Sequence, residues 1–153
     1  MTRKRIVFLL TLVLLFLPIV TYAQDAQVQE VTGSISPDAP NAIYTVNAEA
    51  GQTLYLYAES SEFDTLLLLC NDSSCGEANN PDAVIAFNDD IDLAGGNFNS
   101  ALEYTFTEAG EYTILLADCC DPSASGAFRL LAGFDAPAVL DGSAASTGAV
   151  ILS

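Results

Sequence analysis

Residues 101–107, Ala-Leu-Glu-Tyr-Thr-Phe-Thr, put Leu102, Tyr104 and Phe106 on one side of an extended chain and Glu103, Thr105 and Thr107 on the other. A helix cannot use such a pattern, because its apolar positions recur every three or four residues; a half-buried antiparallel strand requires it. The same period of two runs through residues 42–46, 52–58, 111–117 and 126–132, all rich in β-branched and aromatic residues that suit a pleated surface. Residues 64–70, Asp-Thr-Leu-Leu-Leu-Leu-Cys, are apolar without a break, and their shortness points to a strand covered on both faces. Turn chemistry separates the runs: Pro37-Asp38-Ala39-Pro40, Glu49-Ala50-Gly51, Asn79-Asn80-Pro81-Asp82, Gly95-Gly96-Asn97, Glu108-Ala109-Gly110 and Asp121-Pro122. Seven or eight short strands, each with one apolar face to bury, predict an all-β, antiparallel two-sheet sandwich.

The chain begins with Thr2-Arg3-Lys4-Arg5, an apolar stretch from Ile6 to Val20, and Thr21-Tyr22-Ala23 before Gln24. This is the pattern of a secretory signal peptide over residues 1–23, and the apolar stretch is shorter than the ~20 residues a membrane-spanning helix needs. Cleavage after Ala23 leaves residues 24–153, one domain's worth of chain, exported to the cell exterior. Residues 24–30 read as a flexible linker, 31–135 as the sandwich, and 136–153 as a small-residue tail that either adds an edge strand or trails in solvent.

Export removes three of the four bases and no acid, leaving Arg129 against 20 carboxylates, a formal charge of −19. Such a surface repels nucleic acid and anionic lipid and keeps a monomer soluble. The exported chain also lacks histidine, lysine, tryptophan and methionine, so the usual general base and Schiff-base amine are missing. A hydrolase would have to run on carboxylates alone, with Asp89 and Glu103 as the conceivable pair, and nothing beyond the presence of acids supports it.

The order of signals is more specific than any one of them. Asn41–Ser60, "NAIYTVNAEAGQTLYLYAES", is followed by "FDTLLLL" from Phe63, "AFNDD" from Ala86, "SALEYTFTEAGEYTILLAD" from Ser100 and "SGAFRLLA" from Ser125. In this order and spacing the chain resembles the bacterial pre-peptidase C-terminal domain, a secreted β-sandwich related to the collagen-binding domains of clostridial collagenases. The resemblance covers roughly Val31 to Phe134 and implies a jelly-roll-like, non-catalytic accessory module. Some such modules bind calcium, and some bind collagen or other insoluble polymers. No peptidase domain accompanies the module here, so the implied partner is an extracellular protein or polymer surface. The rival reading is a ligand-free structural component of the cell exterior.

If 63–69 and 83–90 are neighbouring antiparallel strands, Asp64 falls beside Asn88, Asp89 and Asp90, with Asp92 close behind. Carboxylates gathered in one place repel unless a cation, a proton or a donor compensates, and Ca²⁺ favours six to eight such oxygens. The spacing is not that of an EF-hand: with Asp90 at position 1, Ala94 and Ala101 occupy two positions that need oxygen ligands. The alternative is that Asp64 and Asn88 cap turns while Asp89 and Asp90 are simply solvated.

Four cysteines in an exported chain suggest disulfides. Cys70 and Cys75 flank Asn-Asp-Ser-Ser and read as a local bridge. Adjacent Cys119 and Cys120 are harder to pair, since neighbouring α-carbons stand ~3.8 Å apart and disulfides usually need ~4.4–6.8 Å. A long-range pairing would need both segments at one end of the sandwich, and the inferred strand order separates them.

Overall fold

The computed structural model describes residues 26–75 and 80–153. The expected leader, with its cleavage site at Ala23, lies outside the described residues. Eight strands form: β1 (Gln27–Ile35), β2 (Asn41–Ala48), β3 (Thr53–Glu59), β4 (Thr65–Cys70), β5 (Val84–Asn88), β6 (Ser100–Thr105), β7 (Gly110–Asp118) and β8 (Gly126–Phe134). They build two four-stranded antiparallel sheets, ordered β1-β8-β3-β6 and β2-β7-β4-β5. Every connection except β4 to β5 crosses from one sheet to the other, which is the jelly-roll arrangement and confirms the expected fold class. No helix among the described residues is long and apolar enough to cross a membrane.

The alternating residues supply the core between the sheets. Leu54 and Leu56 from β3 and Leu130 from β8 face Val46, Leu67, Leu69, Ile114 and Leu116 from the second sheet, all fully buried. Leu102 and Phe106 join them, while Glu103 and Thr105 stay exposed, as the period of two requires. β4 lies between β7 and β5, with Leu67 and Leu69 in the core and Leu66 and Leu68 half-buried on the outward face.

Two expectations about the ends change. Residues 24–30 are not a linker throughout, because β1 already begins at Gln27 and pairs with β8 along its full length. Its apolar residues hide the strand: Val28 faces outward and Val31 inward, three positions apart, so no period of two shows. The tail from 136 neither trails nor adds a full strand. Pro137–Asp141 forms a 3-10 turn whose Val139 is fully buried against Val28, Tyr57 and Leu131 on the outer face of the first sheet. The chain end then clips to β2: Leu152 bridges Val46, and Thr45 and Ser153 exchange backbone hydrogen bonds.

Candidate functional site

The β4–β5 pairing runs antiparallel with Leu67 opposite Asn88, so the chain entering β4 meets the chain leaving β5. Asp64, Asp89 and Asp90 thereby come to one end of the second sheet. β7 lies on the other side of β4 and ends at the same place, with Asp118 opposite Thr65. Asp118 is a member that the sequence did not reveal. It is 54 positions from Asp64, and only the β4–β7 register brings the two together.

Within this group the carboxylates differ in what they hold. Asp118 is committed to the backbone: its Oδ2 accepts the Asp64 N–H at 3.2 Å, and its Oδ1 accepts the N–H groups of Cys120 and Asp121. Asp64 Oδ1 and Asp90 Oδ1 are buried and receive no hydrogen bond. The Asp64 carboxyl titrates above its ordinary range, chiefly because burial disfavours its charge, and further because Asp90, Asp118 and Asp89 repel it.

The loop from β5 to β6 is stitched down by polar groups rather than by apolar packing. Thr65 and Ser100 are fully buried; the Thr65 hydroxyl is within hydrogen-bond distance of the carbonyls of Ala58 and Phe98. Ser100 donates to the Thr65 carbonyl at 2.6 Å and reaches that of Asp89 at 3.2 Å. Asn88 ties the two strands together: its Oδ1 accepts Ala101 N–H at 2.9 Å and its Nδ2 donates to the Asp90 carbonyl at 3.1 Å. Asp92 stands apart, exposed, with its Oδ1 accepting Gly95 N–H at 2.9 Å. The positive φ of 76° at Gly96 completes that turn. Of the five proposed ligands, Asp64, Asp89 and Asp90 lie at one end of the sheet, near enough for Asp90 and Asp89 to raise the Asp64 pKa, but among the described residues their carboxylate oxygens do not gather within 4.8 Å as those of Asp64 and the two cysteine sulfurs do; Asn88 spends its amide on the loop, and Asp92 builds a local turn. Glu103 pairs with Tyr55 on the outer face of the first sheet and does not join Asp89.

Cys70 and Cys75 are disulfide-bonded, as expected. Cys119 and Cys120 close a vicinal disulfide beside the acidic group, with Cys119 N–H donating to the Asp64 carbonyl at 2.9 Å. The two bridges sit at opposite ends of the second sheet, since Cys70 pairs with Thr113 and Asp118 with Thr65. A carboxylate oxygen of Asp64 and the two sulfurs of Cys119 and Cys120 lie within 4.8 Å of one another, but sulfurs joined to each other offer no thiolate to a metal. A cavity of about 390 Å³ opens next to the group, lined among others by Ser60, Phe63, Asp64 and Phe98.

Comparison with solved structures agrees with the jelly-roll class. The periplasmic inhibitor of g-type lysozyme from Aeromonas hydrophila, PliG, is similar over 76% of this chain and 93% of its own, with a TM-score of 0.54 at 18% identity. The pre-peptidase C-terminal domain of a Bacillus anthracis collagenase is similar over 69% of this chain and 89% of its own, with a TM-score of 0.50 at 15% identity. The second is the fold that the order of sequence signals resembles. No protein-family model and no curated protein matches the sequence.

Proposed function

We propose that this chain is an extracytoplasmic, non-catalytic β-sandwich binding module whose acidic end is held together by Ca²⁺ and which attaches to a partner protein. The observation that carries the calcium reading is the pair of orphaned oxygens, Asp64 Oδ1 and Asp90 Oδ1, each buried without a donor, on two carboxylates near enough to repel one another. Unpaired buried carboxylate oxygens are costly, and a hard divalent cation is the partner their chemistry suits. Among the described residues the one base, Arg129, does not take its place, being held by Glu30 at 2.9 Å and Glu59 at 3.0 Å on the other sheet. Asp64, Asp90 and Asp89 would hold the ion; Asp118, committed to backbone N–H groups, would orient Asp64. The two disulfides support an oxidising compartment. The periplasmic PliG supports the same location and a protein partner, since it is described as a lysozyme inhibitor on the same fold.

The test is thermal unfolding with Ca²⁺ against Mg²⁺ at equal ionic strength. Extracellular calcium modules have dissociation constants of roughly 10⁻⁴ to 10⁻³ M, so 10 mM Ca²⁺ at the tight end stabilises by about 2.7 kcal/mol. Mg²⁺ tolerates an irregular oxygen cage poorly and should give only the screening part. Asp90→Asn should remove the calcium-specific increment. Equal shifts with both ions, unchanged by the substitution, would refute the calcium reading.

A further inference from the structure

The acidic end of the second sheet holds two sulfurs as well as carboxylates. Asp118 closes β7, and Cys119 and Cys120 follow it directly into the turn toward β8. Cys119 N–H donates to the Asp64 carbonyl at 2.9 Å, which fixes the cysteine pair against the chain entering β4. An Asp64 carboxylate oxygen and both sulfurs thereby stand within 4.8 Å of one another. That carboxylate has capacity to spare, since its Oδ1 is buried without a donor.

The two disulfides differ in what they tie. Cys70 and Cys75 are buried and close a short loop after β4, whereas Cys119 and Cys120 are neighbours in sequence. A cross-link stabilises by restricting the unfolded chain, and the restriction grows with the length of the loop closed. A bridge between adjacent residues therefore ties almost nothing that the peptide bond has not already tied. The turn is held by other means: Asp118 Oδ1 accepts the N–H groups of Cys120 and Asp121, Asp121 Oδ1 accepts Ser123 N–H at 2.9 Å, and Ala124 N–H donates to the Asp121 carbonyl at 2.9 Å. Opening the bridge leaves both sulfurs beside Asp64.

Solvent reaches this bridge more readily than the other. Cys120 is exposed and Cys119 half-buried, and a cavity of about 230 Å³ opens on them, lined among others by Asn41, Asp118 and Pro122. A thiolate arriving from solution meets the Cys119–Cys120 pair first, because exchange needs access to a sulfur.

We propose that Asp64, Cys119 and Cys120 form a redox-gated site for a thiophilic divalent cation, Zn²⁺ by its ligand chemistry. A dithiol reductant attacks one sulfur of the bridge; the S–S bond breaks, a mixed disulfide forms, and the second sulfur of the reductant displaces the cysteine. Two electrons pass to the cysteines, the two protons of the dithiol end on their sulfurs, and the reductant leaves as a cyclic disulfide. Zn²⁺ then replaces those two protons, taking two thiolates and the Asp64 carboxylate, with water in the fourth tetrahedral position. The ion also supplies the positive charge that two new thiolates require in an already acidic group. Oxidised, this end of the sheet offers oxygen ligands, which suit a hard cation; reduced, it offers sulfur. No step depends on the calcium reading, although the two ions would compete for Asp64.

The experiment treats the full exported chain with a dithiol at a concentration that spares the buried bridge. Alkylation and mass spectrometry should then place labels on Cys119 and Cys120 alone, with the sheet spectrum retained. In calcium-free buffer, calorimetry should show a single Zn²⁺ bound per reduced chain and far weaker binding by the oxidised chain, and Cd²⁺ in its place should give a thiolate-to-metal absorption band. Removing a group that only orients a metal ligand costs roughly 10–100-fold in affinity, so Cys119→Ser, Cys120→Ser and Asp64→Asn should each cost at least as much. Glu103→Gln, an exposed carboxylate on the other sheet, should leave Zn²⁺ affinity unchanged. Labels on Cys70 and Cys75 ahead of the vicinal pair, or loss of the sheet spectrum on mild reduction, would overturn the proposal. So would equal Zn²⁺ affinity in the oxidised and reduced chains, or binding indifferent to Cys120→Ser or to Asp64→Asn.

Discussion

Asp64 concentrates the chemistry of the acidic end in one side chain. Its backbone is fully used, with its N–H given to Asp118 and its carbonyl taken by Cys119, whereas its Oδ1 has no donor. A carboxyl whose folded-state pKa is raised is protonated more readily in the folded chain than in the unfolded one. The linkage sign follows. Protonation's contribution to stability is complete below the unfolded pKa, about 3.9, and is lost as pH rises through the higher folded value. Without Ca²⁺, Asp64→Asn should therefore melt higher than the parent at pH 7, and the gap should close as pH falls below the ordinary carboxylate range. Melting curves from pH 3 to 7 in chelator check this; a variant that melts lower than the parent at pH 7 would mean that the Asp64 carboxylate is already compensated. Asn88 behaves differently: it is a clamp between β5 and β6, and its oxygen is committed to Ala101.

Among the elements, the segment after β8 has the largest consequence for its size. Five residues of 3-10 turn carry Val139 onto Tyr57 and Leu131, and the left-handed Gly142, at φ 73°, turns the chain back. Removing two buried methyls from a site with no solvent access costs their transfer free energy plus the cavity left behind. Val139→Ala should lose about 2 kcal/mol, measurable as a lower urea midpoint with an unchanged m-value. An effect of a few tenths of a kcal/mol would show that the segment lies on the sheet without stabilising it.

At the scale of the molecule, 20 acids against four bases, a formal charge of −16, make self-repulsion a global property rather than a local one. Sodium chloride should raise the melting temperature of the exported chain, and the increment should persist in Asp90→Asn, because screening acts on the whole surface and not on the cluster. A melting temperature indifferent to salt between ~0.02 and ~0.5 M, across which the Debye length falls from over 20 Å to about 4 Å, would place the carboxylates too far apart to interact.

The sequence determined the class of fold, because alternation is a local property: Leu102, Tyr104 and Phe106 must share a face of any extended chain, wherever that chain docks. It also determined that the chain around Asp64 and the chain around Asp89 and Asp90 would share one end of a sheet, since two neighbouring antiparallel strands leave few other placements for their ends. Strand β1 was hidden where Val28 and Val31 serve opposite faces, and the closing segment was hidden because small residues carry no period. Tertiary structure alone decided that β7 lies beside β4 and delivers Asp118, that the closing segment covers the outer face of the first sheet, and that Cys75 and Ala83 cover Leu115 and Ala117 on the outer face of the second. Each of these depends on which strands become neighbours across the sheet. Pairing over such distances is fixed by the summed burial of both sheets, and no local stretch of residues encodes that sum.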